Sequence, residues 1–213
     1  MCDGIVRGSF GLWFAKAYIE RGFLKPGRKI LMVNAAVGGT GFARRHWGRG
    51  EILSDCLYDM IDAALAEKDS KIVAFLWHQG EHDAKEKIEE YTSSLKEIFL
   101  KLREKNIEII FLTQNTMNTK TSPHLKEELF IKLSKDFANN VQNSGVLKAY
   151  FESAKEVCEE CGVTVCDLYP VWERLKNAGV DTTELLANKL NHPIREFHYY
   201  MAIKLMETML FNK

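Results

Sequence analysis

The chain of 213 residues has no apolar run of the roughly eighteen residues that a membrane-spanning helix needs. It has no charge of one sign in excess either, with 29 lysines and arginines against 29 aspartates and glutamates. That balance excludes a global basic field for nucleic acid. Local clusters such as KEELFIKLSK read instead as solvated helix faces. A disulfide framework is missing too. The cysteines are Cys2, Cys56, Cys158, Cys161 and Cys166, an odd count in a chain of this size. The C-x-x-C in CEECGVTVC lacks a second pair at zinc spacing and ends a helical pattern rather than following a strand. Buried reduced thiols are therefore expected there. The opening MCDGIVRGSFG has three glycines and no apolar core of a secretory signal. The cytoplasm is the favoured location, and no membrane partner is expected. Internal repeats, low-complexity tracts and linkers are also absent. With 46% hydrophobic residues, the chain suffices for one domain, 1–213.

What is present is an alternation of short apolar runs and longer amphipathic ones. FGLWFAKAYIERG has helical period and a glycine stop at Gly22. After the turn KPGR, KILMVNAAV is a continuous apolar run of strand length. ILSDCLYDMIDAALAEK is helical, KIVAFLW is strand-like, and KEKIEEYTSSLKEIFLKLREK is a strong helix with Glu and Lys interleaved. IEIIFLTQN predicts a third strand, and helical segments follow over 125–138 and 145–161. VTVCDLY predicts a fourth strand, and REFHYYMAIKLMETMLF a closing helix. Apolar strands separated by helices imply a parallel sheet buried on both faces, a three-layer α/β fold of the flavodoxin-like kind.

Ligands bind such sheets outside the carboxyl ends of the strands, and four sequences fall there: VGGTGF, HQGEHD, TQNTMN and DLYP. Gly38 and Gly39 let backbone N–H groups approach a ligand. The Lys-Ser/Thr ending of a P-loop is absent, and a phosphate-binding first loop is weakly supported. In FLWHQGEHDA a buried strand runs straight into six polar or turn-forming residues. Gln79 can donate to a developing oxyanion. Glu81 can act as a base, orient a neighbour or bind a hydroxyl, with His78 and His82 flanking. Near the end, NHPIREFHYYMA places His192 just before Pro193 at a helix mouth, where an imidazole can serve as general base. His198 lies inside the helix and reads as structural.

These blocks resemble a known family. GLWFAKAYIERGFLKPGRKILMVNAAVGGTGFARRHWGRG, together with FLWHQGEHDA, is similar to the carbohydrate-esterase branch of the SGNH (GDSL-like) hydrolases, which includes acetylxylan esterases and sialate O-acetylesterase-like domains. ELLANKLNHPIREFH resembles the histidine block of those hydrolases. The resemblance implies His192 as the general base of a Ser–His arrangement. It implies an oxyanion hole of Gln79 with a backbone N–H near Gly38 or Gly39, and Glu81 as an orienting carboxylate. The reaction would remove an acetyl or similar acyl group from carbohydrate or another small ester. No metal or organic cofactor is implied.

Two departures accompany the resemblance. Family members begin with a strand entering a Gly-x-Ser-Asn turn that carries the nucleophile, and no such block is found here. Ser9, in RGSFG, is the remaining weak candidate, while Ser54, Ser93 and Ser94 fall in helical patterns. In the strand order 2-1-3-4-5 the missing strand is interior, so its neighbours would lack hydrogen-bond partners, each buried unpaired group costing about 1–3 kcal/mol. The domain 1–213 is then expected to be N-terminally incomplete, a truncated form of a longer protein or a mis-started reading frame, or else a variant whose sheet closes the gap or borrows a strand from a homo-oligomeric partner. The second departure is the acid. Where an Asp often stands three residues before the catalytic His, this chain has Lys189, preceded by Asn188, leaving Asp181 or Glu184 as upstream candidates. Phe197 stands where a Gly commonly precedes the second His. An esterase and a non-catalytic carbohydrate-binding or interaction protein on the same scaffold are both compatible with this pattern.

Overall fold

The computed structural model describes residues 10–43, 45–84 and 87–211. Three short strands form one parallel sheet, in the order β1 (Phe75–Trp77), β2 (Ile109–Leu112), β3 (Thr164–Cys166). The register sets Phe75 against Ile109, Trp77 against Phe111, and Leu112 against Cys166. Strand β2 is central and buried along its whole length. Its side chains alternate between faces, as a period of two requires. Ile109 and Phe111 enter one core, Ile110 and Leu112 the other.

Helices cover both faces. The Ile109–Phe111 face is packed by α2 (Ile52–Ala66) through Leu57 and Ile61, by α3 (Ile88–Glu104) through Leu95, Ile98, Phe99 and Leu102, and by α5 (Val146–Cys161) through Tyr150, Ala154 and Val157. The Ile110–Leu112 face is packed by α1 (Phe10–Glu20) and α7 (Arg195–Phe211), through Phe14, Ala17, Met201, Ala202, Leu205 and Met206. In α3 the buried positions recur at three and four residues, which is why a segment this rich in Glu and Lys folds as a helix with one apolar stripe. The result is the expected three-layer α/β/α arrangement, with a strand absent from the sheet.

Two expectations about elements need correction. Residues 29–37, read as the first strand, form none. Among the described residues no backbone hydrogen bond joins them to another segment. Leu31 is 76% exposed, and Met32, Val33 and Val37 are exposed as well, while Ala35 alone packs against the core. The apolar composition is that of a strand, but a strand exists only through a neighbour's N–H and C=O groups, and β1 is not paired with it. The second concerns an added helix, α6 (Tyr169–Asn177), following the DLYP strand end. The Thr113 hydroxyl starts it, accepting from Leu168 N at 2.7 Å and Tyr169 N at 3.0 Å, and Pro170 lies in its first turn. The helical run expected over 125–138 is α4 (Glu128–Asp136), continued by a π-helical segment, Phe137–Gln142.

Candidate active site

The carboxyl ends of the three strands carry a layer of polar side chains, most of them buried. Past β1 the chain turns at Gly80, whose φ of +144° and whose approach to the Tyr91 hydroxyl leave no room for a side chain: an added Cβ would lie 3.0 Å from Tyr91 Oη. This turn delivers Gln79, Glu81 and Asp83 in three different directions.

Asp83 is buried and acts as a clamp. Its carboxylate accepts from Gln79 Nε2 at 2.5 Å, from Phe42 N at 3.2 Å and from Ala43 N at 3.1 Å. It therefore fixes the glycine-containing loop after residue 37 to the β1 turn. Gly41 is required at the contact, because a Cβ there would stand 2.8 Å from Asp83 Oδ2 and closer still to Oδ1. The Asp83 bond also orients the Gln79 amide. Nε2 faces the carboxylate, its second hydrogen remains available, and Oε1 is buried without a partner. Gly38 and Gly39 stand further out, exposed in an open turn with nothing near them. The residues this loop brings to Gln79 are thus 41–43, through Asp83, rather than Gly38 and Gly39.

Glu81 accepts from Gln114 Nε2, a side chain carried just past β2. His78 lies alongside, with Nδ1 3.3 Å from Leu112 O and its ring edge-on to Phe10 at 5.4 Å between centroids. Burial holds His78 below the ordinary imidazole range, and the nearby Glu81 carboxylate opposes that shift. His198, half-buried on α7, is likewise lowered, first by burial and then by His192; its own charge in turn disfavours that of His78. Glu81 and His198 thus lie near enough to His78 to bias its protonation, and His192 near enough to His198 to do the same there.

His192 is exposed on a loop built by Asn188. The Asn188 Oδ1 accepts from Leu190 N at 3.1 Å, Asn191 N at 3.0 Å and His192 N at 2.9 Å. The loop is bolted to the end of β2 by Asn115 Nδ2 donating to Asn191 O and by Asn118 N donating to Leu190 O, both at 2.8 Å. Lys189 adopts a left-handed φ of 57° at this turn, and its ammonium meets Glu184 at 2.9 Å. Lys189 thus occupies the place of an acid with an ion pair to one. Asp181 is bound by Lys120 at 2.5 Å and by Thr183 N at 3.1 Å; the lysine holds its carboxyl below the usual range, and Lys189 does the same to Glu184. Neither candidate acid bonds to the His192 ring, and among the described residues no carboxylate does.

Ser9 lies outside the described residues. Ser54 is buried and accepts from Gly48 N at 2.9 Å, a structural role, and Ser93 and Ser94 lie on α3. Cys158, Cys161 and Cys166 are buried free thiols, and burial pushes Cys158 up to about 12. Asp83 and Asn188 are the positioning groups that the sequence reading left without a role. Asp83 lies four residues after Gln79 in the same polar run, and that spacing around a glycine turn was the available signal.

A parallel α/β/α sheet thus carries an amide donor, a carboxylate and histidines at its carboxyl edge, and the chain falls in the class of carbohydrate esterases. Residues 4–151 match the family described as carbohydrate esterase, sialic acid-specific acetylesterase, and the chain belongs to that family. In structure it is similar to the acetyl xylan esterase AlAXEase, at 14% identity and a TM-score of 0.62, covering 95% of this chain and 91% of that one. It is also similar to Axe2, an acetylxylan esterase from Geobacillus stearothermophilus, at 13% identity and a TM-score of 0.65, covering 98% of this chain and 84% of that one. At such identities the likeness is one of fold. Among curated proteins, none matches the chain in sequence. Among the described residues, no helix is long and apolar enough to cross a membrane.

Two predictions follow from the clamp and the histidines. Gly41→Ala forces a methyl group into a carboxylate that three donors hold in place, and is expected to destabilise the protein by about 1–3 kcal/mol. In the Asp83→Ala background the same substitution should cost distinctly less. Urea titration of the four proteins measures this, and equal costs in both backgrounds would refute the clash. For the histidines, both His78 and His198 bind protons less readily folded than unfolded. Their contribution to stability is therefore complete above the ordinary imidazole value of about 6.5 and is lost as pH falls below it. The urea midpoint should drop between about pH 7.5 and 5.5, well above the range in which Asp181 and Glu184 take up protons. His198→Gln should flatten the drop, whereas a midpoint unchanged across the interval in the parent protein would contradict the assignment.

Proposed function

We propose that the strand-end cluster hydrolyses acyl esters of carbohydrate, acetyl esters of a sugar chain being the substrate class. In this reading His192 is the general base. It takes the proton of an attacking hydroxyl and returns it to the leaving alcohol. The tetrahedral oxyanion accepts from the free hydrogen of Gln79 Nε2, joined by a backbone N–H of the loop that carries Gly38 and Gly39. Glu81 keeps the histidine side of the site in register through Gln114. Water then releases the acyl group from the enzyme.

The observation that supports this is the convergence of the Gln79 turn and the His192 loop on the end of one strand, β2, through Gln114 and Asn115. The family membership and the acetylxylan esterase names of the similar structures supply the substrate class. The attacking group is open to direct test. Phe10, whose ring meets His78, immediately follows Ser9 in the chain, which makes Ser9 the serine to replace first.

A second reading has its own motive. The two upstream candidate acids, Asp181 and Glu184, are engaged by lysines, and among the described residues no carboxylate bonds to the imidazole. The same site would then hold an acylated sugar without cleaving it.

Hydrolysis of p-nitrophenyl acetate by the parent chain, His192→Ala and Ser9→Ala separates the readings. Loss of a proton acceptor is expected to lower kcat/KM by about 100-fold or more. A rate untouched by His192→Ala ends the esterase reading. Calorimetric titration with acetylated xylooligosaccharides adds the other arm, where heat of binding without turnover selects the non-catalytic one.

A further inference from the structure

The loop that carries His192 is a small closed hairpin, and the side chain at its tip is not left to solvent. Residues 185–187 run against 192–194, with Ala187 N donating to His192 O at 2.7 Å, Ile194 N donating to Leu185 O at 3.0 Å, and Leu186 bridged to Pro193. Residues 188–191 make the turn, and Asn188 Nδ2 braces it by donating to Asn191 Oδ1 at 2.9 Å. Lys189 stands at the tip with a φ of 57°, a conformation that costs an L-residue free energy and is normally left to glycine or asparagine. A lysine so placed ordinarily projects into water. This one folds back. Its side chain is only 21% exposed, and its ammonium donates twice to Glu184, to the backbone O at 3.0 Å and to Oε2 at 2.9 Å. Glu184 in turn is tied to the framework. Its Oε1 accepts from the buried Ser122 hydroxyl at 3.4 Å, and the hydroxyl of its neighbour Thr183 accepts from Thr119 N at 3.0 Å. Thr119 and Ser122 both belong to the stretch that follows β2.

We propose that the Lys189–Glu184 pair is the latch that positions His192, which makes both of them positioning residues for the general base. Its chemistry rests on the acyl-ester reading; its geometry does not. Among the described residues no carboxylate bonds to the imidazole, and the bonds that place His192 reach its backbone. The stem of the hairpin is held by its own pairing. The tip is the part that can swing, and the ammonium fastens it to the residue just before the stem. Two bonds from one cation to one residue set a direction as well as a distance, where a single contact would let the tip pivot. The pair stays charged at neutral pH, because the bond from Lys189 holds the Glu184 carboxyl below the usual carboxylate range. Asp181 does not compete for the cation, being bound by Lys120. An ion pair near the surface contributes little to stability. Its effect here is on placement, where a shift of about 1 Å can cost about 100-fold in rate.

Turnover of p-nitrophenyl acetate and amide exchange, measured on the same full-length proteins, test the latch. Lys189→Met keeps the length of the side chain and removes the charge. It should lower kcat by about 10-fold and leave KM and the urea midpoint nearly unchanged. Lys189→Arg, which keeps the cation, should retain most of the rate. Glu184→Ala removes one of the two bonds and should give a smaller fall in kcat. The double variant should be no slower than Lys189→Met alone, because the two residues act as one unit. In Lys189→Met the amides of Leu190, Asn191 and His192 should exchange about 10-fold faster, while those of β2 keep their protection. Exchange and kcat both unchanged by Lys189→Met overturn the proposal. So does a loss of rate matched by a loss of urea stability, which marks a merely structural role, and so does a double variant in which the two losses multiply. A parent chain that does not hydrolyse the ester ends the acyl-ester reading by itself, and the exchange rates then decide the latch.

Discussion

The fold and the candidate site both hang on one strand and its continuation. Strand β2 is enclosed by helices on both faces, and the six residues after it, Thr113–Asn118, stay buried although every one but Met117 is polar. Buried polar groups are mostly bonded, and most of these residues become attachment points, the Thr116 hydroxyl being buried without a partner. Thr113 takes the start of α6, Gln114 takes Glu81, and Asn115 takes the His192 loop. Met117 N donates to Gln142, whose amide continues to the Tyr169 hydroxyl, and Asn118 donates to Ser134. One apolar strand thereby ends in a polar hub that collects segments from most of the chain.

This arrangement explains how an exposed histidine can be held in place. His192 has little packing of its own, but its backbone is gripped by Asn188 and its loop by Asn115 and Asn118. The Gln79 turn is fixed from a different side, by Asp83 and the 41–43 loop. Positioning is thus divided between two independent supports that share only β2. Such backing is what a site needs if small displacements are not to erode its chemistry.

Much of the architecture was legible in the sequence because it rests on local periodicity. The stripe in α3 and the apolar runs of β1, β2 and β3 identified their elements, and the polar residues crowding the end of β1 pointed to the face that carries the candidate site. Residues 29–37 misled the same logic. Their composition is that of a strand, and composition does not reveal whether a neighbour is there to pair with. The site was legible to the level of Gln79, Glu81 and His192 as residues of interest. Asp83 and Asn188 were not, since their importance lies in backbone N–H groups they collect, one set forty positions away and the other inside a left-handed turn.

Helix α6 was missed for a related reason, and its cap has a kinetic meaning. Nine residues are too few to hold a helix in water, and the group that starts this one, the Thr113 hydroxyl, comes from 55 positions earlier in the chain. The same hydroxyl donates to Asp167 at the end of β3. The cap therefore exists only once β2 and β3 have paired. The segment following β3 has to wait for long-range contacts before it can coil, which sets an order of events: sheet first, this helix afterwards. Amide protection in α6 that arose before protection in β2 would contradict that order.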